Sequence, residues 1–259
     1  MKDDKGQRIR PAIALAWGLA EPPRRGPRPS LTLEAIVVAT VELADANGIE
    51  ALSMQRVAAR VGVTTMALYR YVATKDDLVF LAVDAASGEP PPGPATGEGW
   101  RSATERWARA QLGSLRLHPW IARVPIKEPP IAPNQVAWME RCLECIAVSG
   151  LPPIDQFGVL NLISGFVLGH FRLYDELARG AAAGGLSRLG AQQRYADTIR
   201  IVIEPIRFPR TAAAFAAVAE LAATDTVRED FEFGLARLLD GVEAMLPRPD
   251  GVRLPSSHA

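Results

Sequence analysis

Between Thr32 and Asn47 the apolar residues Leu33, Ile36, Val37, Leu43 and Ala44 recur at helical spacing and fall on one face, and Asn47-Gly48 supplies a left-handed stop. The spacing predicts a first helix. Ser53 is suited to cap a second, shorter one running to Arg60, with Val57, Ala58 and Val61 inward. Gly62 ends it, because a turn this tight needs a residue that tolerates positive φ. Thr64 or Thr65 caps a third helix that turns Leu68 and Val72 inward at i and i+4 and leaves Thr65, Met66, Tyr69, Arg70 and Tyr71 largely outside. Thr74-Lys75-Asp76-Asp77 reads as a capping box with Asp in place of Glu or Gln, opening a fourth helix with Leu78, Leu81 and Ala85 as its stripe.

Further helical patterns cover Trp100–Leu117, Pro133–Val148, Asp155–Arg179, Ala191–Ile203 and Thr226–Leu246. Breaks fall at His118-Pro119, Glu128-Pro-Pro130 and Leu151-Pro-Pro153. The stretch Ser87–Gly99 is dense in Pro and Gly without periodic apolar residues, which predicts a linker. The expected organisation is a basic flexible arm over 1–29, a first domain over 30–87, a linker over 88–99, a second domain over 100–247 and a tail over 248–259. Pro11–Ala20 faintly resembles a signal peptide, but Asp3 and Asp4 spoil the charged region before it and the run is too short to span a bilayer. No longer uncharged apolar run is expected elsewhere, so the chain reads as soluble, with no membrane partner.

Composition narrows the class. The chain of 259 residues is 48% hydrophobic and 22% charged, rich in Ala, Leu and Arg, which favours an all-α fold. A formal net charge of +0 disfavours a protein that coats nucleic acid, so any DNA contact must come from a local patch. Two cysteines, Cys142 and Cys145, are too few and too close for a secreted disulfide framework and fit a reducing cytoplasm. Their C-x-x-C spacing is also that of a dithiol centre or half a zinc site, but a structural zinc site needs a second ligand pair and none is present in the sequence. The sequence also lacks a Walker-type loop, a G-x-S-x-G elbow and an H-E-x-x-H helix, so no catalytic set, metal or cofactor is expected.

Two short helices joined by a Gly-containing turn form a helix-turn-helix, whose second helix suits the DNA major groove. Any small helical bundle contains such pairs; the exposed Thr-Thr-Met, Tyr and Arg-Tyr residues with Lys75 beyond them favour DNA. Here Leu52-Ser-Met-Gln-Arg-Val-Ala-Ala-Arg-Val-Gly-Val-Thr-Thr-Met-Ala-Leu-Tyr-Arg-Tyr-Val-Ala-Thr-Lys-Asp-Asp-Leu78 resembles the N-terminal domain of the tetracycline-repressor (TetR) family, over Leu31 to about Ala86. Phe231-Glu-Phe-Gly-Leu-Ala-Arg-Leu-Leu-Asp-Gly-Val-Glu-Ala244 is similar to the end of the tetracycline-repressor-like C-terminal domain.

The resemblance implies an N-terminal three-helix helix-turn-helix domain followed by a helical ligand-binding and dimerisation domain. It places Gln55, Thr65 and Met66 against base edges, beside Thr64. Tyr69, Tyr71 and Lys75 fall on the phosphate side, Lys75 reinforced by its helix dipole, and Arg70 is a further DNA-binding candidate. Arg24, Arg25 and Arg28 are candidates for the flanking minor groove, or a solubilising arm. It further implies a homodimer on a palindromic operator, joined by a four-helix bundle from Asp155–Arg179 and Thr226–Leu246 with Phe231, Leu235, Leu238, Leu239 and Val242 as the interface stripe, a core-only helix being the alternative. A small hydrophobic effector would release the repressor, with Trp107, Trp138, Asn161, Phe166 and His170 as candidate contacts. An effector-independent DNA-binding factor is the competing reading, and a dithiol or metal-dependent enzyme the weaker one.

Overall fold

The computed structural model describes residues 9–20, 31–220 and 226–246. Among these residues every regular element is helical: α1 (Pro11–Ala16), α2 (Leu33–Asn47), α3 (Met54–Arg60), α4 (Thr65–Leu68), α5 (Lys75–Ser87), α6 (Trp100–Leu117), α7 (Pro133–Ala147), α8 (Pro153–Ala183), α9 (Arg188–Val202), α10 (Pro209–Glu220) and α11 (Thr226–Glu243), with 3-10 turns at Ile49–Ala51 and Pro119–Arg123. The all-α expectation holds. Two compact units, residues 1–164 and 165–259, divide the chain.

In the first unit α2 to α5 all begin the same way. The hydroxyls of Thr32, Ser53, Thr64 and Thr74 accept the backbone N–H three residues on, from Ala35, Arg56, Ala67 and Asp77, at 3.0–3.3 Å. Each such cap contributes about 1 kcal/mol and sets where its helix starts. Gly48 and Gly62, at φ 78° and 72°, carry the chain out of α2 and α3. Ile36, Val37, Leu52, Val57, Leu68, Val72, Leu78 and Leu81 meet in one buried cluster, so four short helices share a core that none could close alone. Ala85, expected in the stripe of α5, is exposed; Ala82 and Ala86 are buried against Trp120 instead. The Asp77 side chain also differs from the expected box. One methylene shorter than Glu, it accepts from the Thr74 hydroxyl at 2.8 Å rather than from the Thr74 backbone.

Two segments expected to be loose are held. Pro11–Ala16, read as part of a flexible arm, is a helix packed on α5 with Ala12 and Ala14 buried. The segment after α5, read as a linker, is strapped to α6 and α7. Arg106 donates to the Pro92 and Gly93 carbonyls at 2.7 and 3.1 Å and pairs with Glu98 at 2.8 Å. That guanidinium holds the Glu98 carboxyl below its ordinary range. A Cβ on Gly93 would lie 2.6 Å from an Arg141 nitrogen, so a side chain there would displace the Arg141 guanidinium.

In the second unit α9 packs on α10, with Tyr195 edge-on to Phe215 at 5.6 Å. α10, an Ala-rich stretch with high helix propensity, is not among the helices expected from the sequence. Phe166 of α8 stacks on Phe231 of α11, with ring centroids 5.4 Å apart, and comes so near Gly234 that a Cβ there would lie 2.6 Å from the ring.

Candidate nucleic-acid interface

α3, the turn at Gly62 and α4 form a helix-turn-helix resting on α2 and α5. Leu68 and Val72 are buried, and this packing aims the opposite face of α4 outward. Met66 is 70% exposed and Tyr69 48%, and Arg70, Gln55 and Lys75 are exposed beside them. Thr65 is half-buried, and the Thr64 hydroxyl is occupied in capping α4. Tyr71 departs from the expected phosphate role. It is half-buried, and its hydroxyl donates to the Leu31 carbonyl at 3.0 Å, so the phenol pins the entry to α2 and its proton is already used. Arg24, Arg25 and Arg28 lie outside the described residues.

Lys75 opens α5 next to two carboxylates that would repel phosphate. Each is paired with a cation. Lys127 donates to Asp76 at 2.6 Å, holding that carboxyl below its ordinary range, and Arg10 donates to Asp77 at 2.9 Å. Arg10 also pairs with Glu128 and lies over the Phe80 ring at 4.7 Å. The N-terminus of α5 thus presents Lys75 and helical N–H groups beside paired acids, an arrangement that favours an anion. Sequence reasoning missed Arg10 and Lys127, which no local pattern ties to residues 67 and 51 positions away.

Two more acids, one on α2 and one on α5, fasten these helices to the turn after α6 and to α7. Asp45 on α2 accepts from the Trp120 indole at 2.7 Å and lies 2.8 Å from His118 Nδ1. Asp84 on α5, buried, accepts from the backbone N–H groups of Asn134 and Gln135 at 2.9 and 3.1 Å. Burial pushes the Asp84 carboxyl above its ordinary range, and those two N–H groups oppose the shift. The one available signal was an acid on the apolar side of α5.

The candidate effector residues are divided between the two units. Trp107 and Trp138 form an edge-on pair, centroids 5.8 Å apart, in the first unit. Both indoles are spent: Trp107 donates to the Trp138 carbonyl at 3.0 Å, and Trp138 donates to the Ser87 and Gly88 carbonyls at 3.2 and 3.0 Å. Asn161 is exposed on α8. In the second unit His170 packs edge-on against Phe231 at 5.3 Å and beside Tyr174 at 4.6 Å, with Phe166 completing the cluster. Tyr174 donates to Asp230, and desolvation together with that acceptor pushes its phenol up to about 12.

The interface stripe assigned to α11 is corrected. Phe231, Leu235, Leu239 and Val242 are at most 1% exposed within the single chain, so no partner can bury them further, and Leu238 is half-buried. The outward apolar groups include Phe233 on α11 and Ile154, Phe157, Leu162, Leu173 and Leu177 on α8. α8 also overturns the expectation of no long uncharged run: Gln156–Phe171 carries no charge, and α8 alone among the described helices is long and apolar enough to cross a bilayer. Cys142 and Cys145 are buried, and burial raises both thiols above their ordinary range.

Residues 36–82 match the family model described as bacterial regulatory proteins, tetR family, and residues 93–246 match the tetracyclin repressor-like C-terminal domain. The HTH-type transcriptional repressor DrrR1 of Streptomyces coeruleorubidus is 36% identical over 250 residues, covering 94% of this chain and 88% of its own. Apo ActR of Streptomyces coelicolor superposes with a TM-score of 0.70 at 25% identity, over 84% of this chain and 97% of that one. ActR in complex with actinorhodin gives the same TM-score and identity over 83% and 97%.

Proposed function

The chain belongs to the TetR family of bacterial transcriptional regulators, and from that membership we propose how its own residues divide the work of a ligand-responsive repressor. It is a helix-turn-helix transcriptional regulator. The observation that carries the DNA half is the exposed face of α4 and its neighbours: Met66, Tyr69 and Arg70 project from a helix end whose other side is locked by Leu68 and Val72. Gln55, Thr65 and Met66 read base edges, Gln by pairing with adenine and Met by meeting a thymine methyl. Tyr69, Arg70 and Lys75 hold phosphates. Tyr71 is not among them.

Two copies bind a palindromic operator, because one helix this short reads too few base pairs. The partner covers the outward side of α8, including Leu173 and Leu177, and Phe233 of α11, so the apolar length of α8 meets a second copy rather than a membrane. The effector is a small aromatic compound, a reading supported by the ActR complex with actinorhodin and by the Phe166, His170 and Tyr174 cluster. Such a compound shifts the population away from the operator-bound conformer. The working place is the cytoplasm, where the operator is, and the role is regulatory rather than catalytic.

Selection of bound sequences from a random DNA pool tests the reading. A recovered palindrome with half-sites about one DNA turn apart supports it. Enrichment of no sequence overturns it.

A further inference from the structure

α7 lacks a cap of its own. Its N-cap residue, Ala132, has no side-chain acceptor, and the helix opens Pro133-Asn134-Gln135. The Gln135 side chain reaches back to the N–H groups of Ile131 and Ala132 at 3.2 and 3.3 Å, but the free N–H groups of the first turn need an acceptor from elsewhere. Asp84 supplies it from another helix. One carboxylate oxygen takes both Asn134 and Gln135 N–H, while the Asn134 amide donates to the Asp84 carbonyl at 3.0 Å and to its second carboxylate oxygen at 3.4 Å. Asp84 is 7% exposed, so these bonds have little competition from water.

We propose that Asp84 is a positioning residue for DNA binding, a joint that sets the tilt of α5, and with it Lys75 and the helix-turn-helix, from the N-terminus of α7. This role rests on the DNA-binding reading above. Nine residues of helix separate Asp84 from Lys75, about 13 Å at 1.5 Å per residue. A tilt of about 10° about Asp84 moves Lys75 by about 2 Å, which is enough to break a hydrogen bond to phosphate. A joint made of hydrogen bonds suits this task. It has a defined geometry, yet it can be weakened by any movement of α7 that draws its first turn away from the carboxylate.

The test uses the full-length chain and two variants. Asp84→Ala removes the joint. Asn134→Ala removes only the amide contacts and leaves both backbone N–H bonds to Asp84, so α7 keeps its cap. Spin labels at Ala59→Cys and Glu140→Cys, with labelled chain diluted into unlabelled chain, report the distance between α3 and α7 without DNA. Affinity is read on the operator recovered by selection. The expected result is a shifted or broadened distance distribution in both variants, with affinity about tenfold weaker for Asp84→Ala and about threefold weaker for Asn134→Ala. If Asp84→Ala does not fold, Asn134→Ala decides alone. Unchanged distances overturn the joint whatever the affinity, and because they are measured without DNA, that failure is distinct from a failure to find an operator.

Discussion

The Trp120 indole N–H donates to the Asp45 carboxylate at 2.7 Å, from a ring that is 1% exposed. The bond joins α2 to the turn after α6 and satisfies a donor that water cannot reach. Asp45→Ala leaves that N–H unsatisfied and is expected to cost about 2 kcal/mol, lowering the melting temperature by about 4–8 °C. Trp120→Phe removes the donor with the acceptor still partly solvated, and is expected to cost less than Trp120→Ala, for which a cavity brings the loss to about 3–5 kcal/mol. Thermal denaturation of the three variants checks the order.

Lys75 and Gln55 are both exposed on the candidate DNA face but are assigned different jobs. Lys75→Ala is expected to weaken binding to all sequences alike and to reduce the salt slope by about one unit. Gln55→Ala is expected to relax preference at one base position by about 1–3 kcal/mol. Mobility-shift titrations on operator variants at several salt concentrations check this, and equal losses across variants for both mutants would contradict the assignment.

Tyr174, donating to Asp230, has its phenol raised from 10.0 to about 12. Between those values the folded chain keeps a proton that the unfolded chain has lost, so the stabilisation is fully present below pH 10 and is lost as pH rises towards 12. Denaturant unfolding across this range is expected to show the loss in the wild type and a shallower one in Tyr174→Phe. A spectrophotometric titration is expected to find one of the four tyrosines ionising well after an ordinary phenol.

Outward and inward apolar residues of the second unit are expected to respond differently. Leu173→Glu with Leu177→Glu places charge on the exposed side of α8 and is expected to give folded monomers in sedimentation experiments. Leu239→Ala, at 0% exposure, is expected to cost about 2–5 kcal/mol of stability. A dimer that persists in the double variant would rule out this face as the interface.

How much of the fold and the DNA face was legible in the chain depended on distance along it. The sequence by itself determined the starts of α2 to α5, because a Thr or Ser cap and the N–H it serves lie three residues apart, and the ends at Gly48 and Gly62, because positive φ is a local demand. It also carried the exposed Met66, Tyr69 and Arg70, which are outward once Leu68 and Val72 point inward. Only the tertiary structure decided which surface covers an apolar stripe. Phe231, Leu235, Leu239 and Val242 have the same periodicity whether their own chain or a partner buries them, and here Phe166 and His170 already lie on Phe231. The same holds for polar partners. Tyr71 donates across 40 residues to Leu31, Arg10 across 67 to Asp77, and Asp84 caps a helix 50 residues away. A hydrogen bond is satisfied by whatever group the fold brings within about 3 Å, and no local pattern in the chain records which group that is.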